Sequence, residues 1–197
     1  MPNGKIKELQ SLAQTEFLNL YEATYENKNK EDKKWIIASR KDYKTLSGQY
    51  FNGKVEKLDA VVLIAFHEES KKLAVIRQFR VPLNDYVYEL PAGLIDPDEN
   101  IESTVKRELK EETGLTLAAI DYSRSRKKTY LSAGMTEESA ALMYCTCTGE
   151  VSSAYLEADE DIEALLLSQE EARVILASDA KIDIKAFMAL QTFINDK

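Results

Sequence analysis

Residues 93–115 read GLIDPDENIESTVKRELKEETGL, and their spacing decides the fold prediction for the chain. Apolar residues recur one helical turn apart, at positions 101, 105 and 109, which predicts an amphipathic helix over 101–113 with one buried stripe. Asn100 suits the N-cap, and Glu102 suits the positive first turn. Gly114 suits the left-handed residue that ends a helix. We therefore expect a helix with two defined ends.

The predicted helix gathers three carboxylates on one side. Glu108, Glu111 and Glu112 lie three and four positions apart, within about one turn. Like charges at this spacing cost roughly 0.2–0.5 kcal/mol per pair, and a divalent cation would reverse the sign. Oxygen ligands favour a hard ion, so we expect Mg²⁺, with Mn²⁺ as the alternative. Because Mg²⁺ commonly shares its coordination with substrate phosphates, the sequence indicates a phosphate compound as the target.

A surface helix with a solvated, Glu-rich face is the competing interpretation. Arg107 and Glu111 form an ordinary i, i+4 pair that supports it. Gly93 and Glu99 argue against it, because they stand in a predicted loop upstream, where helix propensity explains neither residue. Gly93 is expected to permit a turn that other residues resist. We therefore favour the metal site.

The same segment resembles a known family motif. It fits G-x5-E-x7-R-E-U-x-E-E-x-G-U, with U aliphatic, at every fixed position, and so resembles the Nudix box. The resemblance implies a hydrolase whose metal ions activate water against a diphosphate. Its implied metal ligands are Glu108, Glu112, Glu99 and the backbone carbonyl of Ala92. Glu111 is expected to act in catalysis, and Arg107 to orient a box glutamate.

The flanking segments narrow the resemblance. Residues 77–80 read RQFR and residues 88–93 read YELPAG, which resemble segments of ADP-ribose pyrophosphatases and related nucleotide-sugar hydrolases. In that group an N-terminal strand pair helps to form a homodimer in which each protomer completes its partner's substrate site. The resemblance implies these substrate contacts: Arg80, Arg77, Glu89, Arg40, Trp35 and Gly134.

Individual roles follow from the same resemblance. Arg80 would contact a substrate phosphate, and Glu89 would lie beside the metals. Arg40 would reach a neighbour's phosphate, and Trp35 would stack on a nucleobase. Arg40 as a surface charge and Trp35 as a packed strand aromatic are the structural alternatives.

Two downstream segments bear on catalysis and selectivity. Residues 156–162, LEADEDI, resemble the acidic loop from which these enzymes take a general base. The register leaves both Glu160 and Glu157 open, and a solvated acidic turn is the alternative. Ala133 stands where ADP-ribose pyrophosphatases usually carry a proline. A less rigid loop there would shift selectivity toward another sugar nucleotide.

Composition limits the classes of protein to which the chain can belong. The chain has 197 residues, 44% of them hydrophobic and 30% charged, which is enough for one substantial core. A net charge of −8 argues against a nonspecific nucleic-acid binder. No apolar run approaches the roughly 18 residues that span a bilayer, and the N-terminus lacks the apolar core of a signal peptide, so we expect a cytoplasmic protein. Cys145 and Cys147 are expected as buried strand thiols, and His67 as a structural residue.

The fold expectation is an α/β protein: a Nudix α/β/α sandwich with a mixed sheet, plus a small N-terminal β-hairpin subdomain. Residues 1–45 are expected to form that subdomain, with dimerisation and substrate contacts, and residues 46–197 the hydrolase domain. The predicted strands are 15–25, 33–39, 59–66, 72–77, 86–89, 121–130, 139–148 and 162–167, and the predicted further helices are 169–178 and 184–194.

The sequence thus predicts Mg²⁺-dependent hydrolysis of a nucleoside diphosphate sugar, with ADP-ribose giving AMP and ribose 5-phosphate. A GDP-mannose or ADP-glucose pyrophosphatase is the alternative within enzymes. A non-catalytic sensor that binds nucleotide is the alternative from another class. The complete box argues against the sensor, because a pure binder has no use for so many carboxylates.

Overall fold

The structure is a computed structural model that describes residues 5–158 and 160–196, so Asp159 of the predicted acidic loop lies outside the described residues. The chain forms two compact units. The first unit comprises Met1–Asp59 and Thr129–Ala140, and the second comprises Ala60–Lys128 and Ala141–Lys197. A division at residue 45 stays a prediction. Within the described ranges, no helix is long and apolar enough to cross a membrane.

The first unit contains a three-stranded antiparallel sheet of β1 (Ile6–Gln14), β2 (Asn19–Glu26) and β3 (Asp32–Ser39), in that order. The two predicted N-terminal strands are present, and β1 adds a third that the sequence did not predict. Only Leu9 of β1 is buried, so the strand lacks the alternating apolar pattern that identifies a half-buried strand.

A helix, α1 (Tyr43–Phe51), covers this small sheet. The side chain of Asp42 caps it by accepting a hydrogen bond from the backbone N–H of Thr45 at 2.7 Å. Leu46 of the helix joins a buried cluster with Leu9, Tyr21, Ala23 and Ile37 of the sheet. Helix α1 is therefore a structured part of the first unit.

Most of a seven-stranded sheet lies in the second unit, which also contains three helices. Its strands are β4 (Ala60–His67), β5 (Leu73–Arg80), β6 (Asp85–Glu89), β7 (Ala92–Leu94), β8 (Thr116–Tyr130), β9 (Ser139–Thr148) and β10 (Ile162–Leu167). The order is β10-β5-β4-β9-β8, with β6 paired to β5 and β7 paired to β4. The helices are α2 (Ile101–Thr113), α3 (Gln169–Ala177) and α4 (Ile184–Phe193). The predicted α/β class is confirmed, although β8 begins five residues earlier than predicted.

Helix α2 has the predicted bounds and caps. Asn100 and Ser103 form a reciprocal capping box, and Gly114 ends the helix with φ of 75°. Val105 and Leu109 are fully buried, and Glu108 and Glu112 are also buried. The helix packs against β4, β5, β7 and β10, so its buried face carries carboxylates as well as apolar side chains.

The cysteines and the single histidine have structural roles. Cys145 and Cys147 are buried, free thiols of β9, and burial raises their pKa values to about 12 and 11. The ring of His67 accepts the N–H of Ser70 at Nδ1 and therefore donates from Nε2 to the carbonyl of Gly149, 2.9 Å away. The predicted burial of the two thiols is confirmed, and the hydrogen bonds of His67 are consistent with the structural role predicted for it.

Candidate active site

Gly93 leaves room for the carboxylate of Glu108. A Cβ atom at position 93 would lie 1.8 Å from Oε1 of Glu108 and 1.9 Å from its carboxyl carbon. Gly93 lies in β7, and the glycines with positive φ in the described chain are Gly53, Gly114 and Gly149. The predicted role of Gly93 in a special turn is therefore wrong. A side chain there would displace Glu108, so the glycine is needed for space.

Arg107 ties the loop before α2 to the helix. Its guanidinium donates to both oxygens of Glu99, at 3.0 and 2.8 Å, and to the carbonyl of Leu94 at 3.0 Å. It also donates to Glu108 at 2.7 Å and to Glu111 at 2.9 Å. These contacts, led by the one to Glu99, raise the pKa of Arg107. Arg107 thus holds three box glutamates in place, which agrees with the orienting role predicted for it.

Glu99 is held as a carboxylate. The hydrogen bonds from Arg107 lower the pKa of Glu99 to about 2, and the hydroxyl of Thr104 also donates to it at 2.9 Å. Thr104 is fully buried on α2 and was not identified from the sequence. The signal that could have identified Thr104 from the sequence is a hydroxyl residue on the predicted inward-facing side of the helix.

Glu108 and Glu112 are buried carboxylates with raised pKa values. Burial is the main cause for both. Arg107 opposes the shift at Glu108, while the Ala92 N–H, which donates to Oε2 of Glu112 at 2.8 Å, opposes it at Glu112. The negative charge of Glu160 adds to the shift at both residues. A further positive charge beside these two glutamates would stabilise their ionised forms.

The structure distinguishes the two glutamates of the acidic loop by position. Glu160 lies within electrostatic range of Glu108 and Glu112, whereas Glu157 is exposed. The backbone N–H of Glu157 donates to Oε2 of Glu160 at 2.9 Å. Glu160 is thus the loop carboxylate whose charge acts on both helix glutamates.

Arg80 and Glu89 form a two-point ion pair on neighbouring strands. Nε and Nη2 of Arg80 donate to the two oxygens of Glu89 at 2.6 and 2.8 Å. Arg80 is also within electrostatic range of Glu112. Arg77 projects from the opposite face of β5, where it lies 4.4 Å from the centre of the Tyr86 ring. The structure therefore brings Arg80, and not Arg77, to the carboxylate cluster.

The remaining predicted contacts belong to the first unit. Nε1 of Trp35 donates to the carbonyl of Gly134 at 3.1 Å, and Trp35 is half exposed. Both residues line a cavity of about 280 Å³ together with Tyr50, Tyr130, Ala133 and Met135. Nε of Arg40 donates to Glu138 at 2.9 Å on the surface. The segment that carries Ala133 thus shares a cavity wall with the predicted base-stacking residue.

The donor chemistry of the cluster suits a divalent cation, although the side chains are not yet arranged to hold one. Within residues 5–158 and 160–196, no group of three or more His, Cys, Asp or Glu side chains is arranged as a metal site. Arg107 donates to Oε1 of Glu108, and the Ala92 N–H donates to Oε2 of Glu112. A hard cation would stabilise the ionised forms of both carboxylates. An ion bound to these two oxygens would therefore compete with the present donors.

Comparison with known proteins places this site in a family. Residues 56–190 match the family model described as NUDIX domain. The chain is 34% identical over 152 residues to "Putative nudix hydrolase 2" of Caenorhabditis elegans, covering 69% of this chain and 67% of that protein. It is 31% identical over 150 residues to "ADP-ribose pyrophosphatase" of Bacillus subtilis (strain 168), covering 71% and 77%. A solved structure described as "Crystal structure of ADP compounds hydrolase" superposes with a TM-score of 0.70 at 16% identity, covering 94% of this chain and 89% of that one.

We expect the Glu112→Gln variant to be more stable than the wild type at pH 8 in the absence of metal, by about 2–4 °C in Tm. Burial raises the pKa of Glu112, so the wild type loses stability as pH rises through that pKa, and an uncharged amide avoids the loss. The gap should narrow at pH 5, where the carboxyl is more protonated. Thermal melts in chelator measure both values.

The half-exposed Glu111 provides a matched control for this prediction. Glu111→Gln removes the same charge but loses an ion pair to Arg107, so it should give no stabilisation at pH 8. Equal stabilisation by both variants would show that general charge reduction, and not the burial of Glu112, is the cause.

Proposed function

The chain belongs to the Nudix hydrolase family, and we propose that it uses a divalent cation, Mg²⁺ first, to hydrolyse the diphosphate bond of a nucleoside diphosphate sugar. ADP-ribose is the proposed substrate, and AMP and ribose 5-phosphate are the proposed products. The observation that carries the proposal is the buried pair Glu108 and Glu112, faced by Glu160 and by the Arg80–Glu89 pair within one unit. The relatives named ADP-ribose pyrophosphatase support the substrate class.

The proposed metal ligands are Glu108, Glu112, Glu99 and the Ala92 carbonyl. A bound divalent cation would supply charge neutralisation for the diphosphate and lower the pKa of a water molecule. Burial keeps bulk water from screening these carboxylates, so their attraction for a cation is strong. Gly93 keeps open the space that Glu108 occupies, and Arg107 fixes the neighbouring carboxylates before substrate arrives.

The charged groups near the cluster have the remaining proposed roles, which are phosphate binding and proton transfer. Arg80 would bind a substrate phosphate, for which its planar guanidinium offers paired donors once Glu89 shares or releases it. Glu160 would accept the proton of the attacking water, because it is the loop carboxylate whose charge acts on both helix glutamates. Glu111, half-exposed beside Arg107, is the other proposed catalytic carboxylate.

The first unit is proposed to bind the base and the neighbouring chain. The Trp35 cavity, with two tyrosines and a methionine in its wall, suits the face of a nucleobase. Gly134 would shape that wall, and Arg40 would contact a phosphate. Because Ala133 lines the same cavity, a GDP-mannose or ADP-glucose pyrophosphatase is the second candidate.

Incubation of the purified protein with Mg²⁺ and a substrate panel tests the proposal. The panel contains ADP-ribose, ADP-glucose, GDP-mannose, UDP-glucose, diadenosine polyphosphates and nucleoside triphosphates, with products separated by chromatography. We expect ADP-ribose to give AMP and ribose 5-phosphate. Preference for another sugar nucleotide would move the base assignment to the second candidate. Tight nucleotide binding with no cleavage would support a sensor and refute the hydrolase.

Glu160→Gln should lower kcat by about 10²–10⁴-fold, the usual contribution of a general base. Glu157→Gln is the matched control, since it removes the same charge from the same loop at an exposed position, and it should keep kcat within about threefold. Steady-state kinetics at saturating Mg²⁺ measure both values. A larger loss of kcat in Glu157→Gln than in Glu160→Gln would assign the general base to Glu157.

The exposed face of the small sheet is the proposed dimer surface. Leu20 on β2 and Ile36 on β3 lie on the face opposite the buried Tyr21 and Ile37, and both are exposed. Light scattering should therefore give a dimer for the wild type and a monomer for the Leu20→Glu/Ile36→Glu variant. Val174→Glu, at an exposed apolar position on α3, is the control that should stay dimeric. A monomeric wild type would refute the proposed dimer.

A further inference from the structure

The segment that leads into the acidic loop, residues 150–155, is attached to the C-terminal end of α2. The backbone N–H of Ser152 donates to the carbonyl of Thr113 at 2.9 Å. A Cβ atom at Gly114 would lie 2.7 Å from the Ser152 nitrogen, so the loop approaches the helix end closely. Gly114 therefore serves the loop as well as the helix cap. This is the first point at which the loop is fixed.

The second attachment is a cation–π contact between Lys110 and Tyr155. The Lys110 ammonium lies 4.3 Å from the centre of the Tyr155 ring and also donates to the carbonyl of Gly114 at 2.7 Å. Tyr155 is half exposed and lines a groove of about 550 Å³ that Leu117 and Lys106 also border. Because the ring is not enclosed by packing, the lysine contact contributes much of what holds it.

The third attachment lies where the loop enters β10. The backbone N–H of Phe79 donates to the carbonyl of Asp161 at 3.1 Å, and the Tyr86 hydroxyl donates to the Asp161 carboxylate at 2.6 Å. Between Tyr155 and this point, Glu157 and Glu160 are hydrogen-bonded to each other. The Tyr155 contact is thus the attachment to α2 that lies nearest to Glu160 along the loop.

We propose that Lys110 and Tyr155 are positioning residues, which hold the acidic loop against α2 so that Glu160 stays beside Glu108 and Glu112. The inference rests on the proposed role of Glu160 in proton transfer. Lys110 is two residues from both Glu108 and Glu112, so the helix turns its side chain away from these two carboxylates and into a groove that Arg107 and Glu111 also line. Its contact with Tyr155 links it to the loop that carries Glu160. Loss of the contact lets the loop sample positions in which Glu160 is displaced, which lowers the fraction of bound enzyme ready to react.

Steady-state kinetics on paired variants test the proposal. Tyr155→Ala and Lys110→Met should each lower kcat by about three- to thirtyfold, the range of a cation–π contact, with KM within about twofold. Tyr155→Phe and Lys110→Arg keep a ring and a cation, so they should retain most of the activity. The double variant Tyr155→Ala/Lys110→Met should be no slower than the slower single variant, because both remove one contact.

Lys106→Met is the matched control. It removes a cation from the same groove, one turn earlier on α2, and should leave kcat unchanged. An equal loss of kcat in Lys106→Met would attribute the effect to the charge of the groove and overturn the proposal. A raised KM with unchanged kcat in Tyr155→Ala would also overturn it, since it would make Tyr155 a substrate contact.

Hydrogen exchange on the full chain without substrate gives a readout that does not depend on activity. The backbone amides of residues 153–162 should exchange several-fold faster in Tyr155→Ala and Lys110→Met, and at wild-type rates in Tyr155→Phe and Lys106→Met. Unchanged exchange in all variants would refute the contact as a loop anchor. If the wild type cleaves no substrate in the panel, the proposed function fails, and exchange alone decides whether the contact holds the loop.

Discussion

The burial of two carboxylates on helix α2 is the constraint on which the site depends. Glu108 and Glu112 face the interior of the second unit, where charges are costly unless they are paired. Arg107 supplies a cation to one, and the backbone N–H of Ala92 supplies a donor to the other. Gly93 supplies the volume, because a side chain at that position would overlap the Glu108 carboxylate. Gly93, Arg107 and the backbone of Ala92 thus allow the two carboxylates to be buried in the fold.

Arg107 and the Ala92 N–H do not fully offset the cost of burying Glu108 and Glu112, and this favours the binding of a further cation. Burial and the charge of Glu160 raise the pKa values of both helix glutamates, so a further positive charge would stabilise their ionised forms. The Arg80–Glu89 pair lies at the edge of the same cluster, so one more cation is present but already committed to a carboxylate. An incoming metal ion and a substrate phosphate would rearrange these pairs together. Affinity for the two ligands is therefore expected to be coupled through shared carboxylates.

The sequence predicted what fixed spacing along one helix determines. Helix α2, its caps and its row of glutamates follow from periodicity, because neighbours on a helix are neighbours in sequence. Contacts through space were harder to predict. The function of Gly93 depends on a side chain fifteen positions away, and the choice of Glu160 over Glu157 depends on how the loop returns to the sheet. Strand β1 was missed for a related reason, since its single buried residue leaves no periodic signal.

Position 110 shows why a motif leaves part of a site unspecified. The box pattern fixes the residues on either side of Lys110 and leaves this position open, as expected for a side chain that faces away from Glu108 and Glu112. Its contact with Tyr155 lies on the opposite side of the helix from these two carboxylates. The helix therefore has two tasks, one on each face: the buried face presents carboxylates, and the exposed face holds the loop that carries another. A substitution on the exposed face can then change the rate while the box itself stays intact, because the geometry of the site depends on both faces of one rigid element.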